Sequence, residues 1–282
     1  MLLIARDERT RDDQPCRPGA MTDALLVATD ARGVATVTLN RPEIHNAFDD
    51  RLIAELTGVL QRLEADARVR VVVLTGAGKS FSAGADLNWM KRMALYSEGE
   101  NRRDALALAT LMRTLDALNK PTLAQVQGAA IAGGCGLVAC CDIALAAERA
   151  SFAISEVRLG LIPAVISPYV VAAIGARAAR RYFLSAESFD AREAERLGLV
   201  HGVFKADQLQ LGVDQLCDLL VANGPAALAA AKRLIRDVAR APFDDALVAE
   251  TARRIAEIRV GAEGREGIAS FLEKRKPRWT PG

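Results

Sequence analysis

The chain is poor in lysine, histidine and aromatic residues and carries almost no net charge. Arginine supplies 30 of its 37 basic residues, but 35 acidic residues offset them and leave a formal charge of +2. No basic block resembles a nucleic-acid stripe, which argues against nucleic acid as a main partner. Its only histidines are His45 and His201. The cysteines Cys16, Cys135, Cys140, Cys141 and Cys217 are an odd set without CxxC spacing, so they read as reduced core thiols and no metal site is expected. No apolar run approaches the roughly 20 residues that span a bilayer, and the N-terminus lacks an apolar stretch followed by a small-residue cleavage site. The sequence reads as a soluble, unexported, cytoplasmic protein that does not enter membranes.

What is present is apolar bulk. With 282 residues, 51% of them hydrophobic, the chain can bury one large core without metals or disulfides. Residues 1–20 are charged and aperiodic, and Met21 opens a strand-patterned segment. The first twenty are expected to be disordered or to precede the true start. The remainder divides into an α/β core over residues 21–204 and a helical region over 205–282.

Leu25–Thr29, Val34–Leu39 and Val69–Thr75 are strand-like and rich in β-branched residues, and helical patterns separate the later strands. That alternation argues for an α/β fold. After Asp49 and Asp50, a cap and a first-turn acid, Leu52, Leu56, Leu60 and Leu63 form one helical stripe. A second helix over Arg103–Leu118 stops at Asn119-Lys120-Pro121, before the strand Thr122–Val126. From about Ser167 the pattern is helical, with Ser167-Pro168 as N-cap and N1. Asp190 and Glu193 have capping-box spacing, and Gly198 ends that helix. Only His201–Phe204 interrupts the run, and the last helices start near Pro225 and Pro242.

Two glycine loops invite phosphate readings that fail on spacing. Gly78-Lys79-Ser80 lacks the first glycine of a phosphate loop, because Val73 stands there, inside a strand. Gly133-Gly134-Cys135-Gly136 lacks the dinucleotide spacing and its ribose-binding acid. The two loops share an order instead: strand, short irregular loop, helix start near Asp86 or Gly134. Each offers free backbone N–H groups, and two such donors converging could hold an oxygen that gains negative charge.

Five segments in one order carry a resemblance: LNRPEIHNAF (Leu39–Phe48), FSAGADLNWM (Phe81–Met90), QGAAIAGGCGLVACCDIALA (Gln127–Ala146), SEVRLGLIP (Ser155–Pro163) and FLEKR (Phe271–Arg275). Together they resemble the crotonase (enoyl-CoA hydratase/isomerase) family. The resemblance implies a ClpP-like crotonase spiral of ββα units with a helical C-terminal trimerisation region. It also implies an acyl-CoA thioester substrate, no cofactor, and a homotrimer or dimer of trimers. It places an oxyanion hole at the N–H groups of Ala85 and Gly133 and the acid/base carboxylate at Glu156. Removing or adding a proton beside a thioester builds enolate charge on its oxygen, which fixed N–H dipoles stabilise.

For coenzyme A, the resemblance implies Ile44 and His45, the loop Ala83, Gly84, Asp86 and Leu87, the bases Lys91 or Arg92, and Phe271 and Lys274 from a neighbouring subunit. A solvated face is the competing reading for the lysines and the arginine. Asp86 and Asp142 read on their own as structural, Asp86 as a helix cap. The best-known hydratases carry a second glutamate where this sequence has Gly136. With Ala164-Val165-Ile166-Ser167 after Pro163, that departure makes the chain similar to bacterial methylglutaconyl-CoA and isohexenylglutaconyl-CoA hydratases.

The expected activity is hydration of a branched, carboxylated α,β-unsaturated acyl-CoA by a single glutamate. The alternatives are a Δ3,Δ2-enoyl-CoA isomerase, or a non-catalytic member of the fold that binds acyl-CoA, a protein or RNA.

Overall fold

The computed structural model describes residues 24–239 and 241–280. The expected N-terminal extension, 1–20, and Cys16 lie outside them. In chain order the elements are β1 (Leu25–Thr29), β2 (Val34–Leu39), α1 (Asp50–Ala65), β3 (Val71–Gly76), β4 (Ser80–Ser82), α2 (Leu87–Met93) and α3 (Glu98–Ala117). There follow β5 (Thr122–Val126), β6 (Ala129–Ile131), α4 (Gly133–Cys140), β7 (Ile143–Ala147), β8 (Ser151–Ala153) and α5 (Ser167–Ser185). The chain continues with β9 (Phe189–Asp190), α6 (Ala191–Leu197), β10 (Gly202–Phe204), α7 (Leu209–Val221), α8 (Pro225–Val238), α9 (Asp245–Val260) and α10 (Ala262–Leu272).

Two sheets result. The larger runs β1-β2-β3-β5-β7-β10, with β1 and β2 antiparallel and every later pairing parallel. The smaller runs β4-β6-β8-β9, parallel except for its last pair. Three times the chain sends one strand into the large sheet and the next into the small one: β3 then β4, β5 then β6, β7 then β8. A helix follows each pair, which is the ββα repeat of the expected spiral.

Strand alternation explains the layers. In β3, Val72 and Leu74 face a core built with Leu52, Leu56 and Leu60 of α1 and Leu111 and Leu115 of α3. Val71 and Val73 face Leu209, Val213 and Cys217 of α7 on the other side. Side chains two apart share a face, so a strand covered on both faces must be apolar throughout, as VVVL is. Cys135, Cys140, Cys141 and Cys217 are free and buried, as core thiols should be.

The helix caps follow their residues. Asp49 accepts from Leu52 N–H at the start of α1 at 2.9 Å, and Asp190 from Glu193 N–H at the start of α6 at 2.8 Å. One cap differs from expectation. Ile166, not Ser167, is the N-cap of α5, because the Ser167 hydroxyl turns back onto the Ala164 carbonyl at 2.8 Å instead of forward onto the helix. The C-terminal helices α8, α9 and α10 bury only Ser270 fully. Lys232 of α8 reaches Asp142 at 2.7 Å and so ties that helix to the core.

Candidate active site

Strands β4, β6 and β8 are neighbours in the small sheet and run parallel, so their C-terminal ends lie along one edge. Within three residues of those ends come Ala85, Gly133 and Glu156. Three successive repeats thus deliver the three expected catalytic residues to one edge of one sheet, the edge at which parallel sheets expose loops and helix N-termini.

The loop after β4 is held from behind. Phe48 and Ala85 form an isolated parallel bridge, with Phe48 N–H donating to the Gly84 carbonyl at 2.8 Å and Asp86 N–H to the Phe48 carbonyl at 2.9 Å. In that pattern Ala85 N–H points away from Phe48, and it takes no partner among the described residues. Gly84 has φ +84°, and a β-carbon there would lie 2.9 Å from the Ile131 carbonyl oxygen and 3.8 Å from the Gly133 nitrogen. Only glycine lets the two loops approach this closely. Ser82 beneath them is buried and donates its hydroxyl to the Asn46 carbonyl at 2.9 Å.

Gly133 is the first residue of α4, where N–H groups have no intrahelical acceptor. It too takes no backbone partner among the described residues. The residue before it, Ala132, has φ 50° and ψ −116°, a conformation that side chains disfavour. Against Gly133 lies the Phe48 ring, so close that any β-carbon there would overlap its tip. One aromatic ring therefore backs one donor while its own backbone braces the other.

Glu156 opens a one-turn 3-10 helix, Glu156–Leu159, that Gly160 closes at φ 70°. Its Oε2 is buried and takes no hydrogen bond among the described residues. Burial raises its pKa above the ordinary 4.5, opposed by the Glu156 and Ser155 backbone N–H groups. A carboxyl so placed is a stronger base than a solvated one, which suits it to take up and return a proton. Cys135 lies nearby as a neutral thiol, its pKa pushed up to about 12 by burial, and it donates to the Ala130 carbonyl at 2.9 Å.

Gly136 is buried in α4, and a β-carbon there would overlap Ile166 and come within 3.2 Å of the Met112 methyl. The position that holds a second glutamate in the best-known hydratases therefore has no free volume in this chain. Ile166 lay within the distinctive loop after Pro163, but sequence gave no sign that it would pack on Gly136. Phe48 was likewise inside a family segment without a visible role.

The other expected binding residues divide. His45, at φ 55°, pairs Nδ1 with the Ser80 hydroxyl at 3.0 Å, and its carbonyl accepts from Ala83 N–H at 2.9 Å. The Ile44–His45 turn thus abuts the Ala83–Leu87 loop. Asp86 caps α2 by accepting from Asn88 and Trp89 N–H at 2.8 and 3.1 Å. Leu87 and Lys91 are exposed on α2, and Arg92 pairs with Asp50 at 2.6 Å. Phe271 and Lys274 stand exposed at the end of α10, which packs on α8 and α9. His201 binds Ala144 N–H through Nδ1 at 3.1 Å, beside β7.

A cleft of about 570 Å³ on α5 and α6 holds none of these residues. Its carboxylate, Glu193, is taken up by Arg196 and the Tyr182 hydroxyl. Among the described residues no group of three His, Cys, Asp or Glu side chains could hold a metal, and no helix is long and apolar enough to cross a membrane.

Comparison with known proteins identifies the family. The family described as enoyl-CoA hydratase/isomerase matches residues 29–282. The chain belongs to that family. Its fold is the crotonase fold, and it is an enzyme of the enoyl-CoA hydratase/isomerase class. Among relatives, the 2,3-dehydroadipyl-CoA hydratase of Escherichia coli K12 is 34% identical over 254 residues, covering 89% of this chain and 97% of that protein. Among solved structures in the family, an enoyl-CoA hydratase from Shewanella pealeana is 46% identical with a TM-score of 0.88, over 91% of this chain and 96% of that one. Pseudomonas aeruginosa AtuE is 39% identical with a TM-score of 0.87, over 91% and 99%.

Proposed function

We propose that this enzyme adds water across the double bond of a branched, carboxylated 2-enoyl-CoA of the 3-methylglutaconyl-CoA type. In this reading the N–H groups of Ala85 and Gly133 hold the thioester oxygen and Glu156 handles the protons. The observation that carries it is the buried Glu156 Oε2, without a hydrogen bond among the described residues, on the same sheet edge as two unpaired N–H donors. Water attacks the β-carbon while Glu156 takes one of its protons, and the displaced π-electrons move through the α-carbon onto the thioester oxygen. The two N–H dipoles meet that charge without reorganising. Glu156 then returns its proton to the α-carbon, so the product gains one water and the enzyme is unchanged.

Gly136 at the position of a second carboxylate, with Ile166 packed against it, supports a specialised substrate, because a single acid/base must serve both proton steps. The relative from Escherichia coli is named for a substrate that is itself carboxylated. The same single carboxylate also suits Δ3,Δ2-isomerisation, in which one base moves a proton between carbons and no water enters. The exposed Ile235, Phe243, Phe271 and Leu272 of the C-terminal region are consistent with a homotrimer or a dimer of trimers.

The test is one turnover assay on crotonyl-CoA, a 3-enoyl-CoA and 3-methylglutaconyl-CoA under the same conditions. The branched carboxylated ester should rank first by kcat/KM and incorporate labelled solvent oxygen. Preference for the 3-enoyl ester without oxygen incorporation would establish the isomerase instead. Turnover of none of the three would leave a non-catalytic member of the fold.

A further inference from the structure

We propose that Arg41 is a positioning residue that sets both oxyanion donors through a clamp on two helix caps. This inference rests on the assignment of Ala85 and Gly133 as the hole. Arg41 sits in the turn after β2, its backbone N–H held by the Asn46 side chain at 2.9 Å. Its Nη1 donates to Asp49 Oδ2 at 3.0 Å and to the Ala47 carbonyl at 3.1 Å, and its Nη2 lies 3.6 Å from Asp86 Oδ2.

Each aspartate is thereby split between two tasks. Asp49 uses Oδ1 to cap α1 and Oδ2 to meet Arg41, and Asp86 uses Oδ1 to cap α2 and Oδ2 to face the same guanidinium. The Phe48–Ala85 bridge is parallel and each aspartate immediately follows one partner of it, so the two carboxylate-bearing residues emerge side by side just beyond the bridge. Arg41, by engaging both, ties the two bridged segments together at that end. The bridge aims Ala85 N–H, and the ring of Phe48 sets the seat of Gly133.

The three side chains are mostly buried, at 21%, 21% and 11% exposure, so solvent screens this cation and its two anions less than it screens surface pairs. A guanidinium can present separate N–H groups to two carboxylates at once, which an ammonium cannot do in this fixed fork geometry. Arg41 touches no reacting atom in this arrangement, and its effect passes through the position of the donors.

The experiment compares Arg41→Met, Arg41→Lys and Asp86→Asn with the wild type. Asparagine still caps a helix, so Asp86→Asn removes the charge pair while keeping α2 and supplies the answer if Arg41→Met does not fold. Steady-state kinetics on the best enoyl-CoA are paired with infrared spectra of bound butyryl-CoA carrying carbon-13 at the thioester carbonyl. Donors in register pull that carbonyl stretch to lower wavenumber.

Arg41→Met should lower kcat about 10- to 100-fold, the scale of a small misplacement at a reacting centre, and lose most of the carbonyl shift. KM should change by no more than about threefold, because uniform binding is untouched. Arg41→Lys should fall between it and the wild type, and Asp86→Asn should shift the carbonyl in the same direction as Arg41→Met. Wild-type kcat, or a wild-type carbonyl shift in both Arg41→Met and Asp86→Asn, would overturn the role of Arg41 alone. No carbonyl shift in the wild type would overturn the hole itself, and this proposal with it.

Discussion

The donor wall of the site and its carboxylate wall are built by opposite means. Around Ala85 and Gly133 the residues Phe48, Ser82, Gly84, Gly134 and Gly136 are buried, and added β-carbons at Gly133, Gly134 and Gly136 would each collide with a neighbour. Around Glu156, by contrast, no residue from Ser155 to Ile162 is fully buried, and Leu159, Leu161 and Ile162 are more than half exposed. Dipoles that stabilise developing charge work best when they cannot move, so that wall is close-packed. A proton carrier needs a shifted pKa and access to its substrate, so the other wall is one short turn with half of a carboxyl left unpaired.

The sharpest break of this comparison is Glu156→Gln, which keeps volume and removes proton capacity. Turnover should fall by roughly 10²- to 10⁴-fold while the dissociation constant for a saturated acyl-CoA stays near wild type. Stability should move the other way. Because burial raises the folded pKa of Glu156 above 4.5, its stabilising contribution is complete below that value and is lost as pH rises through the folded pKa. The glutamine variant should therefore melt higher than wild type at neutral pH, and the difference should vanish on acidification below pH 4.5. A variant that melts lower at pH 7 would show that the ionised carboxylate has a partner.

On the donor wall the same logic predicts losses of both activity and stability. Gly133→Ala drives a methyl into the Phe48 ring. It should cost about 1–3 kcal/mol in chemical denaturation, as overpacking does. It should also lower kcat by up to about 10²- to 10³-fold, the scale of one lost oxyanion donor. Adding Phe48→Leu should return much of the stability. If kcat returned fully as well, Phe48 would be a space-filler without a part in aiming Gly133.

Gly136 lies one turn into α4, the helix that Gly133 opens. Gly136→Glu alone should destabilise by about 1–3 kcal/mol or more, because Ile166 fills the space. With Ile166→Gly the volume opens and α4 can house a second carboxylate. The double variant should then recover stability and gain turnover on crotonyl-CoA relative to 3-methylglutaconyl-CoA. An unchanged ranking of those substrates would separate the Gly136–Ile166 contact from specificity.

The sequence revealed the large sheet more fully than the small one. β1, β2 and β5 are runs of β-branched and apolar residues long enough to show their pattern, and Asp49, Asp190 and Gly198 cap as such residues do. The strands β4, β6 and β8 are three residues each, too short for any period to register, and β4 and β6 fall inside the two irregular glycine loops of the sequence reading. Yet their shared edge is what gathers the site. Ala85, Gly133 and Glu156 were legible only through resemblance, because the roles proposed for the first two use backbone N–H groups that leave no side-chain signature. Ile166 and Phe48 matter through contacts 30 and 85 residues away in sequence, with Gly136 and Gly133, and such contacts have no local pattern.

The smallest expected effect tests how the donor wall is held still. Ala132 occupies φ 50° and ψ −116°, a strained conformation for a residue with a β-carbon, and strain of this kind typically costs about 1–3 kcal/mol. Glycine at 132 would relieve it, but would also add unfolded-chain entropy worth roughly 0.4–1 kcal/mol. The two effects oppose, and the strain term is the larger, so Ala132→Gly should be slightly more stable in urea denaturation. Freed of its methyl, the peptide that presents Gly133 N–H gains room to rotate, and kcat should fall by no more than a few-fold. A less stable variant would mean that the Ala132 methyl, which a β-carbon on Gly84 would meet at 3.3 Å, contributes more by packing than its backbone loses by strain.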